Sequence, residues 1–151
     1  MRYGSAESIE TQPADIIQKL MDSIIQSISR RSSEDYALVM LSNVIKKLQN
    51  SYPFLQYINI NTNRFSEMRR QLDIDPLINE IPQKQVQQSI QDLLQQILTL
   101  MGKNAGFFFV KEIEKNLDPK YKLAIKQFGI DLEYIQLHVE VEKKTNKGAL
   151  Y

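Results

Sequence analysis

Apolar positions recur along this chain with two periods, one helical and one extended. From Pro13 onward Ile16, Ile17, Leu20, Met21, Ile24, Ile25 and Ile28 follow at spacings of three and four, which places them on one broad helical face ending near Ser29. Arg30-Arg31-Ser32-Ser33 breaks the pattern, and Ser32 with Asp35 three residues on reads as the cap of a second helix. Its stripe is Ala37, Leu38, Leu41, Val44, Ile45 and Leu48, and Lys46 and Lys47 suit the negative end of its dipole near Asn50.

Pro53 restricts the residue before it to extended backbone, and Phe54–Asn61 reads as a strand because Ile58 and Ile60 alternate with Asn59 and Asn61. Asn61-Thr62-Asn63 is a turn. Arg64–Leu72 fits a short helix through Phe65, Met68 and Leu72, with a second hairpin strand as the alternative. The clearest element follows Pro82, a helix over Gln83–Met101 with Val86, Ile90, Leu93, Ile97 and Leu100 alternating by four and three. After a turn at Gly102–Gly106 a helix resumes over Phe107–Asn116. Asp118-Pro119 then caps and starts a last helix that stops at Gly129. Ile135, Leu137, Val139 and Val141 alternate with polar residues and predict a half-exposed strand.

The expected fold is therefore α+β, a helix-dominated domain of five to six helices with a small two- or three-stranded sheet built from strands around Ile58 and Val139. Residues 1–12 and 144–151 are polar and are expected to be flexible, leaving 13–143 as one domain.

Composition narrows the chemistry. The 151 residues include 19 Lys+Arg and 18 Asp+Glu, for a net charge of +1, no cysteine and one histidine, His138. That removes thiol nucleophiles, disulfides, iron–sulfur clusters and Cys- or two-His metal sites, and no cofactor is expected. Neither half is strongly basic, so nucleic acid is the weaker expectation for a partner. No apolar run approaches the ~20 residues of a membrane span, and the first dozen residues lack a secretory apolar region. A soluble, cytoplasmic protein is expected.

The long helix is unusual in its polar face. Between Gln85 and Met101 its only charge is Asp92, among Gln85, Gln87, Gln88, Ser89, Gln91, Gln95 and Gln96. Solvated helices ordinarily carry paired Glu and Lys there, whereas low charge with retained hydrogen bonding marks an interface. The expectation is a non-catalytic interaction or regulatory domain, a homo-oligomer or the binder of a protein partner. Val86, Ile90, Leu93 and Ile97 would form its seam, with Ile17, Met21, Ile24 and Ile28 packing on it or on the second copy's. The alternative reading is an intramolecular bundle.

Two other classes have a foothold. Residues 107–128 outline a helix-turn-helix whose second helix carries Lys120, Lys122 and Lys126. It lacks an early Arg, Asn or Gln for bidentate base contacts, and Glu112, Glu114 and Asp118 offset its charge. Met101, Phe107, Phe108 and Phe109 could wall an apolar-ligand pocket, although a helix buried on several sides explains three successive rings more simply. The turn Gly102-Lys103-Asn104-Ala105-Gly106 lacks the P-loop pattern. The pairs Asp73/Asp75, Glu112/Glu114 and Glu140/Glu142, the last beside His138, read as solvated surface. Nothing nominates a nucleophile, general base or cofactor cradle.

Overall fold

One helix, α1 (Pro13–Arg31), touches most of the other elements, and its ends are fixed by residues from different sources. The computed structural model describes residues 12–62, 72–101, 103–135 and 137, the side chains of 103–108 excepted. Pro13 occupies the first helical position of α1, but Gln12 makes no side-chain cap there. Asn79 supplies it from a distance: its Oδ1 accepts the Ala14 N–H at 2.7 Å while its Nδ2 donates to Gln12 Oε1 at 2.9 Å. At the other end Ser32 Oγ donates to the Ile28 carbonyl at 3.0 Å. Ser32 thus closes α1, and the cap of α2 (Glu34–Leu48) is Ser33, whose Oγ accepts the Tyr36 N–H at 3.1 Å. The expected cap is displaced by one residue because Ser32 already has this partner.

The buried residues of α1 form two stripes one residue apart: Ile16, Leu20, Ser23 and Ser27, and Ile17, Met21, Ile24 and Ile28. Successive residues lie ~100° apart around a helix, so the two stripes bury neighbouring faces. The first faces α4 (Lys103–Asn116). Ser23 Oγ donates to the Ile113 carbonyl at 2.7 Å, and Asn116 Nδ2 donates to Ser27 Oγ at 3.3 Å. Ile113 lies in the last turn of α4, where carbonyls lack intrahelical partners, so the buried hydroxyl satisfies a group that would otherwise be stranded. Small side chains at both serine positions let the two helices approach closely.

With α3 (Gln83–Met101), the four long helices pack as a ring, α1 on α2, α2 on α3, α3 on α4 and α4 on α1. The stripes of α1 and α3 point into the core this ring encloses. A shorter helix, α5 (Pro119–Gln127), rests against α1.

The small sheet is a local hairpin. β1 (Ile58–Ile60) pairs antiparallel with β2 (Leu72–Ile74) in the register Ile58 to Ile74, Asn59 to Asp73 and Ile60 to Leu72. Ile58, Leu72 and Ile74 are buried while Asn59 and Asp73 face out, as a two-residue period requires. Two expectations are corrected here. Pro53–Tyr57 is a 3-10 helix, since proline at its first position favours a tight helical turn, and the strand shrinks to three residues. Leu72 belongs to β2 rather than to a helix; 63–71 lie outside the described residues. The partner of β1 among the described residues is β2, and the expected strand around Val139 lies outside them.

Ile135 is helical instead of extended. Residues 132–135 form a helical turn in which Asp131 Oδ1 accepts the Tyr134 N–H at 3.0 Å and the Asp131 carbonyl accepts the Ile135 N–H at 3.1 Å. This cap, together with burial of Leu132 and Ile135 three residues apart, outweighs the alternating pattern. A second 3-10 helix, Pro76–Glu80, is capped by Asp75 and carries the Asn79 that clamps α1. Residues 1–11 and 138–151, including both segments expected to be flexible, lie outside the description except for Gln12.

Leu93 is fully buried in the ring's core. Leu93→Ala is expected to cost ~2–5 kcal/mol of unfolding free energy in a denaturant titration. Ser23→Ala, which strands the Ile113 carbonyl, is expected to cost ~1–3 kcal/mol.

Candidate functional site

The eight side chains expected to form the association seam are Ile17, Met21, Ile24, Ile28, Val86, Ile90, Leu93 and Ile97. All lie in the core of the single chain, none more than 2% exposed. A second copy laid on α1 or α3 would meet other residues. Of the expected ligand pocket, Phe109 is fully buried and Met101 packs partly buried on the same core, so these two are packed as core residues. The side chains of Phe107 and Phe108 lie outside the description.

The glutamines of α3 have an internal task that composition did not disclose. α5 begins at Asp118, whose side chain accepts the Lys120 N–H at 2.9 Å, and ends in a reversal at Gly129. There the Ile130 N–H bonds the Ile125 carbonyl at 3.1 Å and the Gly129 N–H bonds that of Lys126 at 3.0 Å, the pattern of a Schellman motif. The two carbonyls that follow are taken by α3: Gln83 Nε2 donates to Phe128 O at 3.0 Å, and Gln87 and Gln91 to Gly129 O at 2.8 and 3.3 Å. The three glutamines are four residues apart and so lie along one edge of the helix. A glutamate at any of them would present only acceptors to a carbonyl, so low charge along this edge has a structural cause.

Gly129 has φ +102°, and a Cβ there would sit 2.7–2.8 Å from the Gln87 amide. Both the backbone conformation and the close approach require glycine.

Asp92, the lone charge of α3 between Gln85 and Met101, accepts the Tyr52 hydroxyl at 2.5 Å and the Gln88 amide at 3.1 Å. This ties the end of α2 to α3. The hydrogen bond to Asp92, then burial, then the carboxylate's charge push the Tyr52 hydroxyl up to about 12.

Two concavities stand out among the described residues. The larger, about 660 Å³, lies between α1 and the junction of α4 with α5. Its polar side chains are largely engaged within the chain: Gln18 with Asp22, Ser23 with the Ile113 carbonyl, and Asp118 with the Lys120 N–H. Lys19 and Lys120 lie 5.5 and 5.3 Å from the Tyr121 ring centroid on its rim.

The smaller, about 370 Å³, is a groove between α5 and residues 130–133. Pro119, Leu123 and Leu132 give it an apolar lining, Lys122 and Lys126 stand on the α5 side, and Asp131 and Glu133 on the other. Leu123 is 56% exposed, and Tyr134 and Leu137, which follow the groove residues in sequence, are 59% exposed. Sequence periodicity missed this site because Leu123 breaks the buried pattern of α5 instead of contributing to it.

The remaining candidates separate. Glu112 pairs with Arg31 at 3.0 Å, Glu114 joins the groove's edge, and Asp73 is exposed on β2. His138, Glu140 and Glu142 lie outside the described residues. Among the described residues no cluster of three or more His, Cys, Asp or Glu could hold a metal, and no helix is long and apolar enough to cross a membrane. Where the helix-turn-helix was expected, α4 and α5 follow one another across Leu117-Asp118, and the segment after them begins as a helical turn at 132. No family model, curated protein or solved structure matches the chain.

Gly129→Ala is expected to lower stability by ~1–3 kcal/mol, measured by chemical denaturation. Alkaline pH supplies another check. The folded-state hydroxyl of Tyr52 titrates at about 12 against an ordinary 10, so its stabilisation is complete below pH 10 and is lost as pH rises toward 12. Tyr52→Phe should lower stability at neutral pH and flatten its decline over that window in melts at successive pH values.

Proposed function

We propose that this chain is a non-catalytic interaction domain whose contact surface is the groove beside α5. The observation that carries this reading is the exposed Leu123, set in a groove with an apolar lining at Pro119 and Leu132 and charged side chains around it. Tyr134 and Leu137, which follow the groove residues in sequence, are exposed as well. Exposed apolar clusters rimmed by charge are characteristic of protein contact sites, and aromatic residues are enriched at their centres.

The proposal stays with an interaction domain but moves its surface from the α1 and α3 seams, which are buried, to the groove around the exposed Leu123. A protein partner fits better than a duplex. Glu114, Asp131 and Glu133 line the same groove as the two lysines, and carboxylates so placed repel phosphate.

Site-specific photo-crosslinking in the producing cell tests the reading. With a photoreactive phenylalanine analogue at position 123, discrete protein adducts are expected, and they should be absent when the analogue stands at the exposed Lys46 of α2. No adduct at 123, or the same adducts at both positions, would overturn the assignment.

A further inference from the structure

We infer that the occupant of this groove is a second copy of the same chain, related by a two-fold axis that runs along the groove. The inference rests on the reading of the groove as an interaction surface and adds the identity of the partner. It follows from how charge is distributed across the groove. One wall, on α5, carries Lys122 and Lys126, four residues apart and therefore on one side of the helix. Asp131 and Glu133 line the groove from residues 130–133, and Glu114 of α4 adds a third carboxylate to the lining.

Among the described residues, no oppositely charged side chain lies within 4.0 Å of Lys122, Lys126 or Glu133. Asp131 accepts a backbone N–H at the start of the 132–135 turn and retains acceptor capacity. The groove therefore holds a basic row and an acidic row, side by side and unpaired across it, with exposed Leu123 between solvent and the core.

Such a face is complementary to itself in one arrangement. A two-fold contact brings identical patches together, so each residue meets whatever the symmetry places opposite it. Rotation about an axis along the groove carries the basic wall of one copy over the acidic wall of the other, and the reverse. Lys122 and Lys126 of each copy would then face Asp131 and Glu133 of its partner, while Leu123 of both copies would lie over the apolar lining. An axis across the groove would set lysine against lysine and is disfavoured. A partner with a single sign of charge would satisfy one wall and be repelled by the other, whereas a second copy satisfies both.

Sedimentation velocity on the full purified chain tests the inference, because orientation and identity are read together. The wild type is expected to reach twice 17.6 kDa at micromolar to tens of micromolar concentration, with association weakening as salt is raised. The double substitution Lys122→Glu/Lys126→Glu, and separately Glu133→Lys, is each expected to weaken dimerisation about tenfold or more, since every change enters the symmetric interface twice. Asp131 is left unchanged to preserve its capping bond.

Mixing the two variants in equal amounts is expected to restore a heterodimer, and circular dichroism with melting temperature establishes that each variant is folded. A wild type that stays monomeric at ~100 micromolar would overturn the inference, as would a dimer indifferent to both substitutions or folded variants that fail to pair on mixing. The two readings fail separately. A monomeric chain whose position 123 crosslinks to a different protein in the cell overturns the second copy and leaves the interaction surface standing; a chain with no adduct at 123 removes the surface itself.

Discussion

The packing of α1 on two sides is the constraint from which the rest of the fold follows. Its two buried stripes lie one residue apart, and an arc that wide exceeds what a single neighbouring helix can cover. Burying both faces requires neighbours on two sides, and α2 and α4 provide them. The helix α3 then completes the ring by packing on those two. Within this arrangement the polar exceptions are as specific as the apolar rule. Ser23 and Ser27 allow α4 to come close, and the Ser23 hydroxyl replaces the hydrogen bond that the last turn of α4 would otherwise lack.

The same logic governs the periphery, where helix ends are finished by side chains distant in sequence. Asn79 completes the start of α1, and Gln83, Gln87 and Gln91 complete the reversal after α5. Each case satisfies backbone groups that a helix leaves open, and each fixes one element relative to another. Directional bonds from α3 therefore fix the reversal after α5, which brings residues 130–133 back beside α5 to form the groove. The proposed interaction surface gains from such support, because a preorganised face has less to order on binding.

Periodicity made the helices legible. The α3 boundaries agree with the expected Gln83–Met101, and α1 and α5 differ from expectation by two residues or fewer at their ends. What escaped was non-local. Ser23 and Ser27 look like ordinary polar residues until α4 is placed beside them, and no local pattern connects Asn79 with Ala14 across 65 positions. Three-residue Leu72–Ile74 was too short to stand out as the partner of β1, and the alternation beginning at Ile135 gave no sign that the Asp131 cap starts a helical turn at 132. The glutamine face was read as an interface because low charge has the same appearance whether the amides meet another subunit or carbonyls of their own chain. Apolar stripes carry the same ambiguity. An exposed Leu123 was invisible as a site because exposure is not encoded in spacing.

Amide hydrogen exchange followed at low and high protein concentration tests most directly the claim that the helical stripes are packed within one chain. Protection of α1 and α3 should be the same at both concentrations, with any gain at high concentration confined to residues 119–137. Strong protection of α1 and α3 that appears only at high concentration would contradict the account, since it would make those stripes the contact between chains.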